Sequence, residues 1–245
     1  AIDFVRMHDG CSFQEAVAKL LGGEQGQTFR SASERNAEPQ KLFALPLPHH
    51  NMRRVYAYLM KQRHIDRDII THFARAGTLY EDAKYHNAVF VGTDEHGVSR
   101  HAQKRSTNSQ GKSFKLNVAG SDARYSFHHL GDDGDLYVFE APIDLLSYIT
   151  LHPENWQQHS YVACCGTSYE PVRWILTRME APQMVSLCLD HDNAGDQGCE
   201  RMAKQISSEF GFPTRRLVPE QKDWNEDLCA LREAPRRQRM EMEMR

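Results

Sequence analysis

The chain has 245 residues, a net charge of -3, and 40% hydrophobic and 26% charged residues, enough apolar material for one large domain or two small ones and unlike any fibrous composition. No run approaches the roughly 18 consecutive apolar residues of a membrane span, and the opening AIDFVRMHDG lacks the charged-then-apolar pattern of a signal peptide. The six cysteines include no C-x-x-C pair, so neither a zinc ribbon nor a disulfide framework is written here, and Cys164, Cys165 and Cys188 read as buried thiols of a cytoplasmic protein.

Residues 1–23 form one short helical unit. Ser12 opens a capping box with Glu15, the residues Phe13, Ala16, Val17, Leu20 and Leu21 recur at helical spacing, and Gly22-Gly23 stops the helix. Residues 24–45 read as a solvated linker, because EQGQTFRSASERNAEPQ holds one aromatic and no aliphatic larger than alanine. Residues 46–130 then make a smaller α+β unit. Its two helices show Val55, Leu59 and Met60 on one face and Ile69, Ile70 and Phe73 on the other, with Gly77 as terminator. A hairpin follows in NAVFVGTDEHGVSRHAQKRST.

Residues 131–232 alternate strand and helix. The strands are LYVFEA, YVACCGT, MVSLCLD and TRRLVP, and each is followed by a helical segment, which predicts an α/β domain with a Rossmann-like parallel sheet covered on both faces. Trp174 and Trp224 fall in apolar helical patterns and read as core. Residues 233–245 are a charged tail that extends the last helix or frays from it.

Charge is unevenly distributed. Arg100, Lys104, Arg105, Lys112, Lys115 and Arg124 face a single acid, Asp122, and beyond them come Asp132, Asp133, Asp135, Glu140 and Asp144. Such a pattern fits a polyanion held beside a cation-dependent site, and equally two solvated faces of opposite sign.

Ligands of a parallel α/β sheet collect at the carboxyl ends of its strands. Glu140 follows one strand, Asp190 and Asp192 follow another, Asp144 lies one helical turn after Glu140, and Asp223 sits in the last connection. Asp-x-Asp alone fits a turn or a helix cap before Gly195. The whole set is more specific, and hard oxygen ligands of this kind suit Mg²⁺. His49-His50 and His128-His129 have no ligand partner at i+4 and read as solvated or capping histidines. Gly166-Thr167-Ser168 fits a phosphate-touching turn or a plain one.

YVFEAPIDLLSYI and LCLDHDNAGDQGCERMA resemble the two signature motifs of the Toprim domain of bacterial-type primases, topoisomerases and some nucleases. AIDFVRMHDGCSFQEAVAKLL resembles the segment just after the primase zinc ribbon, so residues 1–23 are expected to be the remnant that follows a missing ribbon. YLMKQRHIDRDIITHF, the hairpin and KSFKLNVAGSDARYSFHHLG resemble the basic subdomain before Toprim in primase-like proteins of mobile elements. The resemblance implies catalytic and metal roles for Glu140, Asp190 and Asp192, with Asp144 and Asp223 as further metal ligands. It brings forward Arg100, Lys104, Arg105, Lys112 and Lys115 for nucleic acid and nucleotide. Mg²⁺ or Mn²⁺ is the implied cofactor, with zinc not expected. Single-stranded DNA and nucleoside triphosphates are the implied partners, a helicase or relaxase of the same element is admitted, and no membrane is involved. Two departures stand out: His191 replaces the glycine common between the two aspartates, and Ala141-Pro142 replaces the usual glycine after the glutamate. The function so implied is a DNA primase-like nucleotidyltransferase. The alternatives are a Toprim nuclease or strand-cleaving enzyme, and a non-catalytic DNA-binding module of a larger mobile-element protein.

Overall fold

The computed structural model describes residues 42–108, 113–179 and 182–234, the backbone of the last helix as far as Glu243, and Val5, His8, Asp9 and Glu15 singly. The helical piece and most of the linker expected before residue 42 lie outside the described residues, as does Lys112. All the elements below belong to residues 41–245, which cluster as one unit.

Helix α1 (Arg53–Ala57) runs into a wider turn at Tyr58–Gln62, closed by a bond from Arg63 N–H to the Tyr58 carbonyl at 3.2 Å. Val55 and Leu59 are buried as expected, but Met60 is 39% exposed, because successive helical residues do not share a face. Helix α2 (Arg67–Arg75) starts where the Asp66 carboxylate accepts from Asp68 N–H. It buries Ile69, Ile70 and Phe73, and Gly77 with a φ of +73° turns the chain out of it.

Strands β1 (Leu79–Glu81), β2 (Ala88–Thr93), β3 (Ser99–Arg105) and β4 (Lys115–Asn117) form an antiparallel sheet in that order. The predicted hairpin is its β2–β3 pair, and β1 and β4 are too short to announce themselves in sequence. Gly92 is required by a close approach: a Cβ there would lie 1.6 Å from the Tyr125 carbonyl oxygen.

The second sheet contains β5 (His128–His129), β6 (Asp135–Phe139), β7 (Ser160–Ala163), β8 (Met184–Leu187) and β9 (Thr214–Arg216), in the order β5-β7-β6-β8-β9. Four of its strands are parallel, and β5 adds an antiparallel edge that the sequence did not suggest. Helices α3 (Pro142–Leu151), α4 (Glu170–Leu176), α5 (Asn193–Glu209) and α6 (Trp224–Glu243) follow β6, β7, β8 and β9. Burial alternates along β6: Tyr137 and Phe139 face one core, Leu136 and Val138 the other, so the sheet is covered on both sides. The first of these cores is continuous with Ile70, Phe73 and Phe90, bridged by Phe127 at 4.9 Å from the Phe73 ring and 5.3 Å from Phe90. The smaller α+β region is thereby packed onto the α/β domain. Trp174 and Trp224 are core residues, each 7% exposed. Cys164 and Cys188 are buried, while Cys165 is half-buried with a φ of +55°, a left-handed position in the turn after β7. No helix among the described residues is long and apolar enough to cross a membrane.

His50 is exposed, as expected, but His128 and His129 are not solvated surface groups. His128 packs on Trp174 at 5.3 Å, and His129 packs on Trp156 at 5.1 Å. On β3, His101 is 2% exposed, its Nδ1 has no hydrogen-bond partner, and burial pushes its pKa down to about 4. An unfolded chain binds this proton near pH 6.5 and the folded chain only near 4, so the stability is present above 6.5, is lost as pH falls through that window, and levels off below it. The loss amounts to about 3 kcal/mol at most. Comparing denaturation midpoints of His101→Leu and its parent from pH 7 to 4 should show the variant with the flatter profile; equal slopes would mean that His101 does not titrate in this way.

Candidate active site

The backbone ladder of the second sheet continues one residue beyond its strands, with Cys164 N–H on the Phe139 carbonyl and Cys188 N–H on that of Val138, both at 2.8 Å. This places Glu140 directly after β6 and Asp190 just past β8, at the same carboxyl edge. Asp144 lies in the first turn of α3, where Pro142 starts the helix without needing a donor. Asp192 caps α5: its Oδ1 accepts from Gly195 N–H at 2.9 Å. The capping role considered for Asp-x-Asp is therefore real for this residue. Gly195 has no alternative there, since a Cβ would come within 2.1 Å of the Asp190 carbonyl oxygen. Asp223 accepts from Glu226 N–H at 2.8 Å before α6, and His191 N–H reaches the Lys222 carbonyl at 2.7 Å, tying the Asp190–Asp192 turn to the Asp223 loop.

These carboxylates act on one another. Burial, then the charges of Asp223 and Asp190, hold the Asp144 carboxyl well above the ordinary range. Burial, then Glu140 and Asp223, push Asp190 up to about 6, with Lys115 opposing the shift and Asp192 adding to it. The ring is loose: no three of these residues bring ligand atoms within 4.8 Å of one another. That suits a cation that keeps several waters and takes one or two protein carboxylates. Asp190 Oδ1 is buried without a hydrogen-bond partner, an orphaned anionic oxygen of the kind a cation would satisfy. The residues present fit a hard divalent ion.

Among the described basic residues brought forward from the sequence, Lys115 lies against this ring: its Nζ donates to Glu140 Oε1 at 3.3 Å. Arg105 lies beside Lys115 in the sheet register and donates to the Tyr58 hydroxyl at 3.2 Å. Lys104, the next residue back on β3, is half-buried and points to the opposite face of the sheet, in register with Val89 and Leu116. Arg100 and Arg124 are engaged elsewhere, in ion pairs with Asp94 at 2.8 Å and with Asp122 at 2.6 Å. Asp133 is drawn to His159. The turn after β7 offers less to phosphate than its composition suggests, because Gly166 N–H is bonded to the Glu140 carbonyl at 3.1 Å.

Sequence reasoning passed over Arg216. Its guanidinium binds the carbonyls of Leu189 at 2.7 Å and Asp190 at 2.8 Å, and the Asp196 carboxylate at 3.1 Å, clamping the turn that carries Asp190. An arginine ending a strand of the parallel sheet was the available signal. Asn225 was also missed: it accepts from Arg63 and donates to Ser147, both at 2.9 Å, locking the start of α6 to α3 and to the residues before α2.

Residues 57–133 match a family described as a protein of unknown function, DUF3991, and residues 137–228 match the Toprim-like family. An uncharacterized protein of Bacillus anthracis is 28% identical over 247 residues, covering 92% of this chain and 72% of that one. Among solved structures, the primase fragment of the bacteriophage T7 primase-helicase protein is 18% identical with a TM-score of 0.53, covering 70% of this chain and 68% of that one. The E. coli primase catalytic core is 16% identical with a TM-score of 0.51, covering 74% and 69%. A DnaG primase catalytic domain bound to single-stranded DNA is 16% identical with a TM-score of 0.51, covering 77% and 73%. At these identities the likeness is one of fold.

Proposed function

This chain carries a Toprim-like domain on the fold of bacterial and phage primase catalytic cores, and from that premise we propose that it is a primase-like nucleotidyltransferase acting on single-stranded DNA with nucleoside triphosphates. The observation that carries the reading is the contact of Lys115 with Glu140, where the basic face of the first sheet meets the ring of carboxylates. A site of this kind holds a polyanion directly beside the place where a cation belongs.

In this reading Glu140, Asp190 and Asp192 hold Mg²⁺ or Mn²⁺, with Asp144 and Asp223 in support. When bound, the ion supplies charge neutralisation for a triphosphate and for its attacking and leaving oxygens. Lys115, beside Glu140, would bind a phosphate oxygen of the substrate. Arg105, on the same face of the sheet as Lys115, holds the template or nucleotide backbone, and Arg216 keeps the Asp190 turn from shifting.

The deciding assay supplies labelled nucleotides, single-stranded DNA and Mn²⁺. Incorporation is the expected result. Degradation of the template would make the same site that of a nuclease, and binding without either reaction would leave a DNA-binding module. The basic face has its own test. Single-strand affinity should fall with salt at a log–log slope of about -0.7 per phosphate contact. Arg105→Ala with Lys115→Ala, the pair that shares this face, should flatten that slope by about 1.4 if both touch phosphate, whereas an unchanged slope would make the face merely solvated.

A further inference from the structure

Away from the carboxylate ring, two histidines and a glutamate that are distant in sequence converge. Glu81 ends β1 and is 1% exposed. Its Oε1 lies 2.6 Å from His86 Nδ1 and 3.8 Å from His49 Nδ1. Each of the three offers a ligand atom, and the three atoms lie within 4.8 Å of one another. The imidazoles are 20% and 27% exposed, so an ion and a completing water can reach them.

We propose that His49, Glu81 and His86 form a second metal site, for a borderline divalent cation of the zinc or cobalt kind, which fastens the segment before α1 to the edge of the first sheet.

The chemistry of the ligands sets the class of ion. Two imidazole nitrogens and one carboxylate oxygen suit Zn²⁺ or Co²⁺, which bind nitrogen and oxygen at about 2.0–2.2 Å, whereas Mg²⁺ prefers an all-oxygen shell. The expectation that zinc would be absent rested on missing cysteines, and this site needs none.

The ligands are also held in place by their surroundings. Glu81 Oε2 accepts from Arg54 N–H at 3.0 Å and from Val55 N–H at 3.2 Å, which fixes the carboxylate and leaves Oε1 facing the two rings. His49 Nδ1, the ring nitrogen that faces Glu81 Oε1, also lies 3.0 Å from the Asn51 carbonyl oxygen and accepts from Asn51 N–H at 3.4 Å, contacts that hold the ring in place and that an ion would take over. His86 sits at a φ of +58°, a left-handed backbone state that is unfavourable for a residue other than glycine. It is held there by its N–H on the Asp82 carbonyl at 3.1 Å and by the Thr107 hydroxyl on its own carbonyl at 2.8 Å. The segment to be fastened already runs along β1, with His49 N–H on the Glu81 carbonyl at 2.7 Å and Ala83 N–H on the Leu47 carbonyl at 2.8 Å.

Chelator-stripped full-length chain, with excess Mg²⁺ to occupy the carboxylate ring, is titrated with Co²⁺ and followed by visible absorption and melting temperature. One equivalent should produce the absorption of a low-coordinate nitrogen–oxygen cobalt site, without thiolate charge transfer, and raise the melting temperature. Asn tolerates the left-handed backbone, so His86→Asn combined with His49→Gln removes the ligands with the least strain. This variant should lose the band and weaken Co²⁺ binding at least 100-fold. Glu81→Gln provides a second test at the buried ligand. Asp190→Asn with Asp192→Asn should keep the band, which separates this site from the proposed catalytic one. No band in the parent, or a band that survives the two histidine substitutions, would overturn the proposal and leave Glu81 as a buried carboxylate paired with His86.

Discussion

Replacing Asp190 and Asp192 together by asparagine should lower nucleotide incorporation by on the order of 10³-fold or more while making the metal-free protein more stable. The two effects share one cause. Asp190 titrates near 6 because it is partly buried beside Glu140 and Asp223, so the folded chain holds its proton more tightly than the unfolded chain does. Stability from this group is greatest at low pH and is lost as pH rises through about 4 to 6. At neutral pH the ionised group is therefore a strain. Its removal should return about 1 kcal/mol after allowance for solvent screening. Asparagine still caps a helix, so the bond from Gly195 N–H survives at position 192 and the substitution tests charge alone. In the parent, Mg²⁺ or Mn²⁺ at 100 times its Kd should add about 2.7 kcal/mol, a rise of roughly 5–10 °C in Tm for a chain of this size. The double variant should show no such rise. A metal response of full size in the variant would remove the site assignment altogether.

Gly195→Ala is the substitution expected to damage the site most without touching a carboxylate. Its Cβ would lie 2.1 Å from the carbonyl oxygen and 2.9 Å from the carbonyl carbon of Asp190, both backbone atoms that cannot rotate aside. Either α5 or the Asp190 turn must move, and that turn is held by Arg216 and by the bond from His191 N–H to the Lys222 carbonyl. A cost of about 3 kcal/mol or more is expected, together with loss of the metal-dependent rise in Tm. Gly198→Ala serves as the comparison. Its nearest contact is the Leu189 Cδ1 methyl at 3.0 Å, the end of a side chain, and alanine favours the helix by about 1 kcal/mol over glycine. Urea midpoints should separate the two variants clearly. Equal midpoints would mean that the packing of α5 against the Asp190 turn is soft.

What the sequence determined by itself was the parallel part of the second sheet and the acidic edge of it. Strands buried on both faces must be apolar almost throughout, so LYVF, YVA and MVSL announce β6, β7 and β8. Parallel strands then put whatever follows them at one edge, which is why Glu140 and Asp190 were legible as partners. The Asp192 cap and the end of α2 at Gly77 were legible for the same kind of reason, since both obey rules that act within a few residues. What only the tertiary structure decided involves pairs brought together across the fold. Six basic residues were equivalent in sequence, and only the pairing of β4 against β3 showed that Lys115 reaches Glu140. His49 lacked a partner at helical spacing, because its neighbours Glu81 and His86 arrive through the edge of a sheet whose first strand is three residues long. Arg216 looked like one more strand residue until the Asp190 turn folded over its guanidinium. Periodicity reports which face of an element is buried, whereas a hydrogen bond or an ion site depends on what the rest of the chain places opposite that face, and no local pattern carries that information.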